Sequence, residues 1–389
     1  MDDREILELL QDMVQAPSHP GVDRQEEAAA RVLDGFLRRP GVASRLVEVR
    51  EGRPNVLATI EGRRPGRHLL FCGHLDTVPP NEGSPADFFS ATIANGRMSG
   101  RGTVDMKGAL AAMAGALVEL GSGDGLAAGR VTLAAVIDEE MESLGAEDLI
   151  KCGFRADGAI VGEPTENRVA IGHKGLEWFE VTFAGRAAHG STPEAGVSAI
   201  AAAAHFAWLV ESELVPGYER RRDPVLGLPA INLGTIRGGQ QPSMVAAECR
   251  IQLDRRWVTT ETIDGVFAEL EALLARVRAA RPGLKTELKR MPGGMATMLH
   301  GPLVIDQGHP LVLAARGALQ DEGRPEGPLT VFPAWTDGAL LSREAGIPTL
   351  VWGPGELALA HSAEESVPVD EILSAARLYA GAARRFTAS

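Results

Sequence analysis

Two histidines and three carboxylates, each in a short motif, are a set that could hold a pair of divalent cations. They are His74 in G-H-L-D-T-V-P, Asp105 in R-G-T-V-D-M-K-G, Glu140 in D-E-E, Glu163 in V-G-E-P-T and His361 in A-H-S-A-E-E. Imidazole nitrogen and carboxylate oxygen suit divalent ions, and cobalt or manganese can occupy such N/O sites; the chemistry such a pair serves is hydrolysis by a metal-activated water. His74 and Asp76 are two apart, so on extended backbone both point the same way, and one can ligate while the other orients it. Glu139 and Glu140 are adjacent and point opposite ways, which lets them take different roles. A nearby cation would relieve their mutual repulsion. Asp105 lies among Gly100, Gly102 and Gly108, where the backbone can turn tightly. Taken singly, each motif would pass as a loop hydrogen bond, a helix cap or a solvated acidic turn; their joint occurrence is the signal.

The elements that must position these residues read as α/β. Residues 5–14 and 25–38 have helical periodicity, with a P-S-H-P-G turn between them. R-L-V-E-V-R and N-V-L-A-T-I read as strands, and H-L-L-F-C-G-H-L as a buried strand running into a polar loop at His74. Residues 106–120 form a helix rich in small residues. V-T-L-A-A-V-I-D and G-A-I-V-G-E-P are further apolar strands, with Asp138–Glu140 and Glu163 at their exits. Polar residues thus gather at strand C-terminal ends, the edge where α/β sheets build sites. From about residue 175 the texture changes to strand, helix, strand, strand, helix, strand, the order of a small α+β sandwich. M-P-G-G-M-A at 291–296 reads as the crossing back, and 303–389 returns to α/β texture. The expected division is a metal-binding domain of 1–174 and 291–389, with 175–290 inserted.

Composition bounds the function. The chain has 389 residues, 44% hydrophobic, with a net charge of -13 and no basic block, which argues against nucleic acid as a partner. No apolar stretch reaches the roughly 18 residues that span a bilayer. The N-terminus M-D-D-R-E-I-L-E-L-L is acidic and amphipathic, unlike a secretory signal. Cys72, Cys152 and Cys249 are odd in number and widely spaced, which fits a reducing compartment, so a cytoplasmic protein is expected. No G-x-G-x-x-G follows the first strand and no G-x-x-x-x-G-K-[ST] occurs, which removes nucleotide binding as a reading.

The motifs resemble, over nearly the whole length, the dinuclear zinc amidohydrolase and peptidase family of acetylornithine deacetylase, succinyl-diaminopimelate desuccinylase, aminoacylase and glutamate carboxypeptidase. Besides the five motifs, the resemblance rests on Ser18, R-P-N-V-L-A at 53–58, G-H-K-G at 172–175, A-A-H-G-S-T-P at 187–193, D-R-R at 254–256 and G-P-G at 353–355. It implies a zinc-peptidase-like catalytic domain with a mixed central sheet flanked by helices, plus an inserted ferredoxin-like lid and dimerisation domain. It implies one metal on His74, Asp105 and Glu163, a second on Asp105, Glu140 and His361, and Asp105 as the bridge. Glu139 would be the general base toward a metal-bridging hydroxide, and Asp76 would orient His74. His189 would reach the active site of the other subunit in a homodimer and stabilise an oxyanion. Arg256, with Ser243 and Gly353, would bind substrate, and the glycines near 174–175 and 292–294 would serve as hinges. The implied reaction is removal of an acyl group from an N-acyl amino acid or similar small molecule; a dipeptidase or carboxypeptidase on the same metals is the near rival. A non-catalytic relative is disfavoured because Glu139 and every ligand are present. The pattern departs at Ser243, where relatives carry Asn, at Ala246 in place of Pro, at Met141–Glu142 after D-E-E, and in A-H-S-A-E-E for A-H-S-P-D-E.

Overall fold

A computed structural model describes residues 2–85, 87–123, 125–324 and 327–388. The chain divides into two compact units, Met1–His173 with Leu303–Ser389, and Lys174–Pro302.

The first unit opens with helices α1 (Asp3–Val14) and α2 (Glu27–Leu37), then strands β1 (Ala43–Arg50), β2 (Arg53–Glu61) and β3 (His68–His74). Short strands β4 (Thr92–Ala94) and β5 (Arg97–Ser99) precede helix α3 (Lys107–Gly121). Strand β6 (Arg130–Val136), helix α4 (Leu144–Lys151), and strands β7 (Gly158–Val161) and β8 (Ala170–His173) complete its first segment.

The second unit is β9 (Gly175–Ala184), α5 (Ala199–Leu209), β10 (Ala230–Gly238), β11 (Glu248–Trp257), α6 (Ile263–Ala279) and β12 (Lys285–Arg290). Its sheet runs β10-β11-β9-β12, antiparallel throughout, which is the ferredoxin-like order. Alternation along β9 and β11 sends Phe179, Val181, Phe183, Ile251 and Leu253 to one face, where they pack with Phe206 of α5 and Leu270 and Val277 of α6. The return to the first unit falls at Leu303 rather than at 291. Residues 291–302 stay with the second unit because Met291 N–H donates to the Trp178 carbonyl at 2.9 Å and Leu176 N–H to that of His300 at 2.9 Å.

Back in the first unit come β13 (Leu303–Val304), α7 (Pro310–Asp321), β14 (Thr330–Phe332), α8 (Gly338–Arg343), β15 (Thr349–Val351), β16 (Ser366–Pro368) and α9 (Val369–Ala388). The large sheet runs β1-β2-β6-β3-β7-β15-β8-β13, with β14 beside β8. It is mixed: β6, β3, β7 and β15 are parallel, while β1, β2 and β13 run antiparallel to their neighbours. The apolar run of β3 is buried on both faces, as a central strand must be. Leu70 and Cys72 pack with Leu149 of α4 and Leu341 of α8. On the opposite face Phe71 lies 5.5 Å from Tyr379 of α9, ring centre to ring centre. Helix α3 is buried along nearly its whole length, which its Ala and Gly content permits. No helix among the described residues is long and apolar enough to cross a membrane.

The aromatic pair Phe183–Phe206, with ring centres 5.8 Å apart, anchors the core of the second unit. Phe206→Ala is expected to cost about 3–5 kcal/mol, read as a lower urea midpoint by tryptophan fluorescence; an unchanged midpoint would contradict this packing.

Candidate metal centre

Three neighbouring parallel strands end side by side, with His74 opposite Val136 and Cys72 opposite Val161. His74 therefore leaves β3 between the D-E-E turn that follows β6 and the Gly162–Glu163 exit from β7. His361 arrives from the loop after β15, and Asp105 from the turn ahead of α3. The strand-end pattern read from the sequence thus becomes one cluster.

Asp105 is its centre. Its Oδ1 lies 3.0 Å from His74 Nε2 and its Oδ2 3.1 Å from His361 Nε2. Glu163 Oε1 stands 3.7 Å from His74 Nε2, and Glu140 Oε1 3.0 Å from His361 Nε2. So Asp105 addresses one histidine with each oxygen, with Glu163 on one side and Glu140 on the other. Ligand atoms of His74, Asp105 and Glu140 all lie within 4.8 Å of one another. Donors on a tetrahedral ion with bonds of about 2.0 Å sit roughly 3.3 Å apart, so these separations fit a metal with small adjustment. The tautomer fits as well. His74 Nδ1 is 2.9 Å from the Asp76 carbonyl, which takes the ring proton and leaves Nε2 as the nitrogen available to a metal.

The surrounding groups hold the ligands in place. Asp76, fully buried, accepts from Glu139 N–H at 3.1 Å and Glu140 N–H at 3.0 Å. It also lies 3.6 Å from His74 Nδ1, so one carboxylate sets a ligand histidine and the backbone of both glutamates. The D-E-E turn is clamped from β2. Arg53 donates to buried Glu26 and to Asp138, both at 2.6 Å, and Asn55 takes Ile137 N–H at 3.0 Å while donating to the Gly145 carbonyl at 2.9 Å. Asp138, Ser143 and His361 adopt left-handed backbone (φ 69°, 51° and 58°), so part of the chain's backbone strain lies at the site. The glycines around Asp105 are required: a Cβ on Gly108 would sit 2.4 Å from the Thr103 carbonyl oxygen. Lys107, fully buried, donates to the carbonyls of Met13 and Ala16 at 2.8 and 2.9 Å, tying this turn to the end of α1.

The titration of these groups reflects crowding. Burial acts to lower His74, but Asp105, Asp76 and Glu163 prevail and raise it well above the usual imidazole range. Hydrogen bonds to Asp105 and Glu140 push His361 up to about 10. Burial raises Asp105, yet its two histidines outweigh it and hold the carboxyl low. Burial pushes Glu139 and Glu163 well up, with neighbouring carboxylates adding to it, and lifts Asp76 to about 7.

Of the remaining expected residues, His189, Ser243 and Arg256 lie in the second unit. His189 and Ser243 are brought together: the Ser243 carbonyl accepts Gly190 N–H at 2.7 Å, and His189 Nδ1 is 2.7 Å from Ser191 Oγ. Arg256 on β11 is engaged by Asp254 two residues before it, Nε to Oδ1 at 2.7 Å and Nη2 to Oδ2 at 2.9 Å. Gly353, expected to bind substrate, follows β15 next to the Glu163 exit. Its carbonyl accepts from Thr165 and Asn167, and its N–H donates to Thr165 Oγ1. A Cβ there would lie 2.2 Å from the Gly162 carbonyl oxygen, so this glycine permits a close approach beside Glu163. Sequence reasoning missed Glu26, Arg53, Asn55 and Asp337. R-P-N-V-L-A was noticed as a motif with no reason attached; the reason is the clamp on D-E-E. Asp337, buried ahead of α8, is pushed up by burial to about 6, and no sequence pattern pointed to it.

The model of Peptidase family M20/M25/M40 matches residues 70–385. The chain belongs to this family. Among its M20/M25/M40 relatives, N-formyl-4-amino-5-aminomethyl-2-methylpyrimidine deformylase of Bacillus subtilis is 29% identical, over 95% of this chain and 91% of that protein. Acetylornithine deacetylase of Proteus mirabilis is 30% identical, over 93% and 92%. The crystal structure of aminopeptidase PepT from Bacillus cereus superposes with a TM-score of 0.81 at 21% identity, covering 99% of both chains, and shares the fold. As an M20/M25/M40 member the chain is a metal-dependent hydrolase.

Arg53→Met would strand buried Glu26 and Asp138 without their cation. The expected loss is about 3–5 kcal/mol, measured by chemical denaturation, together with weakened metal binding; a stable variant with normal metal content would show that the clamp is dispensable.

Proposed function

We propose that this protein hydrolyses the amide bond of an N-acyl amino acid or similar small acylated amine, releasing the carboxylic acid and the amine. The observation that carries the reading is Asp105 with one oxygen on each of two histidines, flanked by Glu140 and Glu163. His74, Asp105 and Glu163 would hold one divalent ion, and Asp105, Glu140 and His361 a second, with zinc best suited to the mixed N/O set and cobalt or manganese as substitutes. When bound, such a pair polarises a carbonyl and makes water a nucleophile near neutral pH. Glu139 takes the proton of the attacking water on its carboxylate and delivers it to the departing nitrogen as the C–N bond breaks. Asp76 keeps His74 in the ligating tautomer. Acyl removal is preferred to peptide cleavage because relatives matched over more than nine-tenths of the chain are a deformylase and a deacetylase.

For the second unit we assign Arg256 to a substrate carboxylate, held ready by Asp254, with Ser243 beside His189 adjusting specificity. His189 would stabilise the oxyanion across a homodimer. Support for a dimer comes from β10, an open sheet edge carrying exposed Ile236, and from Trp208, exposed on α5. Three free cysteines accord with a reducing cytoplasm.

A panel of N-formyl, N-acetyl and N-succinyl amino acids with dipeptides, assayed with zinc or cobalt, should show turnover that chelation abolishes. Glu139→Gln should lower kcat by roughly 10²–10⁴ with metal content unchanged; wild-type turnover in that variant would remove Glu139 as the base. Arg256→Gln should raise KM for carboxylate-bearing substrates about tenfold or more, the range for a lost charge-assisted hydrogen bond, with kcat less affected.

A further inference from the structure

We infer that Glu365 is a positioning residue for the bridging aspartate, so that one side chain behind the ligands sets both halves of the metal centre. The inference rests on the metal reading above. Glu365 is fully buried, and it gathers the backbone of the turn that carries Asp105. Its Oε1 accepts the N–H groups of Gly102 at 2.9 Å, Val104 at 3.0 Å and Asp105 at 3.3 Å. Its Oε2 accepts Arg101 Nη1 at 2.5 Å, and its own carbonyl takes Gly100 N–H at 3.0 Å. Successive N–H groups pointing inward on a turn form a concavity that holds an anion, and here the anion is this carboxylate.

Two consequences follow from where Glu365 sits. Holding Asp105 by its own N–H limits the directions its carboxylate can take, and that carboxylate must meet His74 and His361 at once. Glu365 is also four residues after His361, so one short segment supplies a ligand and the clamp on the ligand shared with it. A shift in this segment would disturb both ions together, whereas loss of His361 alone would disturb one.

The charge on Glu365 has a partner. Arg101 is buried, donates to Asn81 Oδ1 at 2.5 Å, and stands 5.1 Å over the ring of Phe88. A competing account makes Glu365–Arg101 a fold-stabilising ion pair with no bearing on metal. The two accounts separate when both charges are removed. An ion pair is relieved by that change; a carboxylate that receives three N–H groups is not replaced by an amide of weaker acceptor strength.

The test uses the full-length protein with zinc, measuring bound metal by mass spectrometry, affinity by chelator competition and melting temperature on the same samples. Wild type is expected to take two equivalents. Glu365→Gln should bind both more weakly, by about 10–100-fold, the range for outer partners of metal ligands. Glu365→Gln combined with Arg101→Gln should recover melting temperature without recovering metal affinity, and it carries the test if the single variant does not fold. Recovery of both in the double variant, or wild-type affinity in the single variant, would overturn the positioning role while leaving the metal centre intact. Wild type that binds no metal would overturn the metal reading itself, and this inference with it.

Discussion

Repulsion among buried carboxylates is the constraint that the first unit is organised around. Glu26, Asp76, Asp105, Asp138, Glu163, Asp337 and Glu365 are all buried near the ends of a few strands, with Glu139 and Glu140 among them. Left uncompensated, such a group would oppose folding, since each ionised carboxylate out of water needs a cation or several donors. Most are assigned one. Arg53 serves Glu26 and Asp138, backbone N–H groups serve Asp76, Arg101 and a turn serve Glu365, and two histidines serve Asp105. Glu139 and Glu163 are the ones that burial pushes furthest toward the protonated form. A divalent cation held by Glu163 and its neighbours would favour the ionised carboxylates there, which would couple metal binding to the stability of this region.

This arrangement explains why the supporting residues are as specific as the ligands. The ligands reach the site from strand ends and loops, which offer little rigidity of their own. Three of the segments that carry the expected ligands are fixed from other parts of the chain: β2 holds the D-E-E turn, the Asp76 segment after β3 holds His74, and Glu365 holds the turn before α3. The second unit has its own antiparallel sheet and aromatic core, and its exposed polar residues on β11 and near His189 carry none of this burden.

Much of this was legible in the chain, for physical reasons. His74, the D-E-E acids and Glu163 follow uninterrupted apolar runs, and apolar runs of that length are buried parallel strands whose ends form sites. Asp105 was legible through its glycines, and the inserted unit through the switch to alternating strands. The supports were not. Arg53 and Asn55 sit in an ordinary strand, Glu26 in a helical stretch and Asp337 ahead of a short helix; nothing local marks a residue whose partner lies from 27 to 90 positions away, as for Glu26 with Arg53 and Asn55 with Gly145. The crossing back was placed at 291 because M-P-G-G-M-A looks like a linker, whereas two backbone hydrogen bonds keep 291–302 with the second unit.

Strand β15 lies between β7 and β8 in the large sheet, yet it is made of residues 349–351. On a ribosome, β7 and β8 therefore emerge long before the strand that joins them, and each waits with an unpaired edge. Lys174–Pro302 holds all four strands of its own sheet and can close its core during that interval. The nascent first unit cannot complete its sheet until Val351 has been made, nor acquire His361 or Glu365 before synthesis has entered the last tenth of the chain. Synthesis thus keeps the candidate metal centre unassembled until the protein is nearly finished.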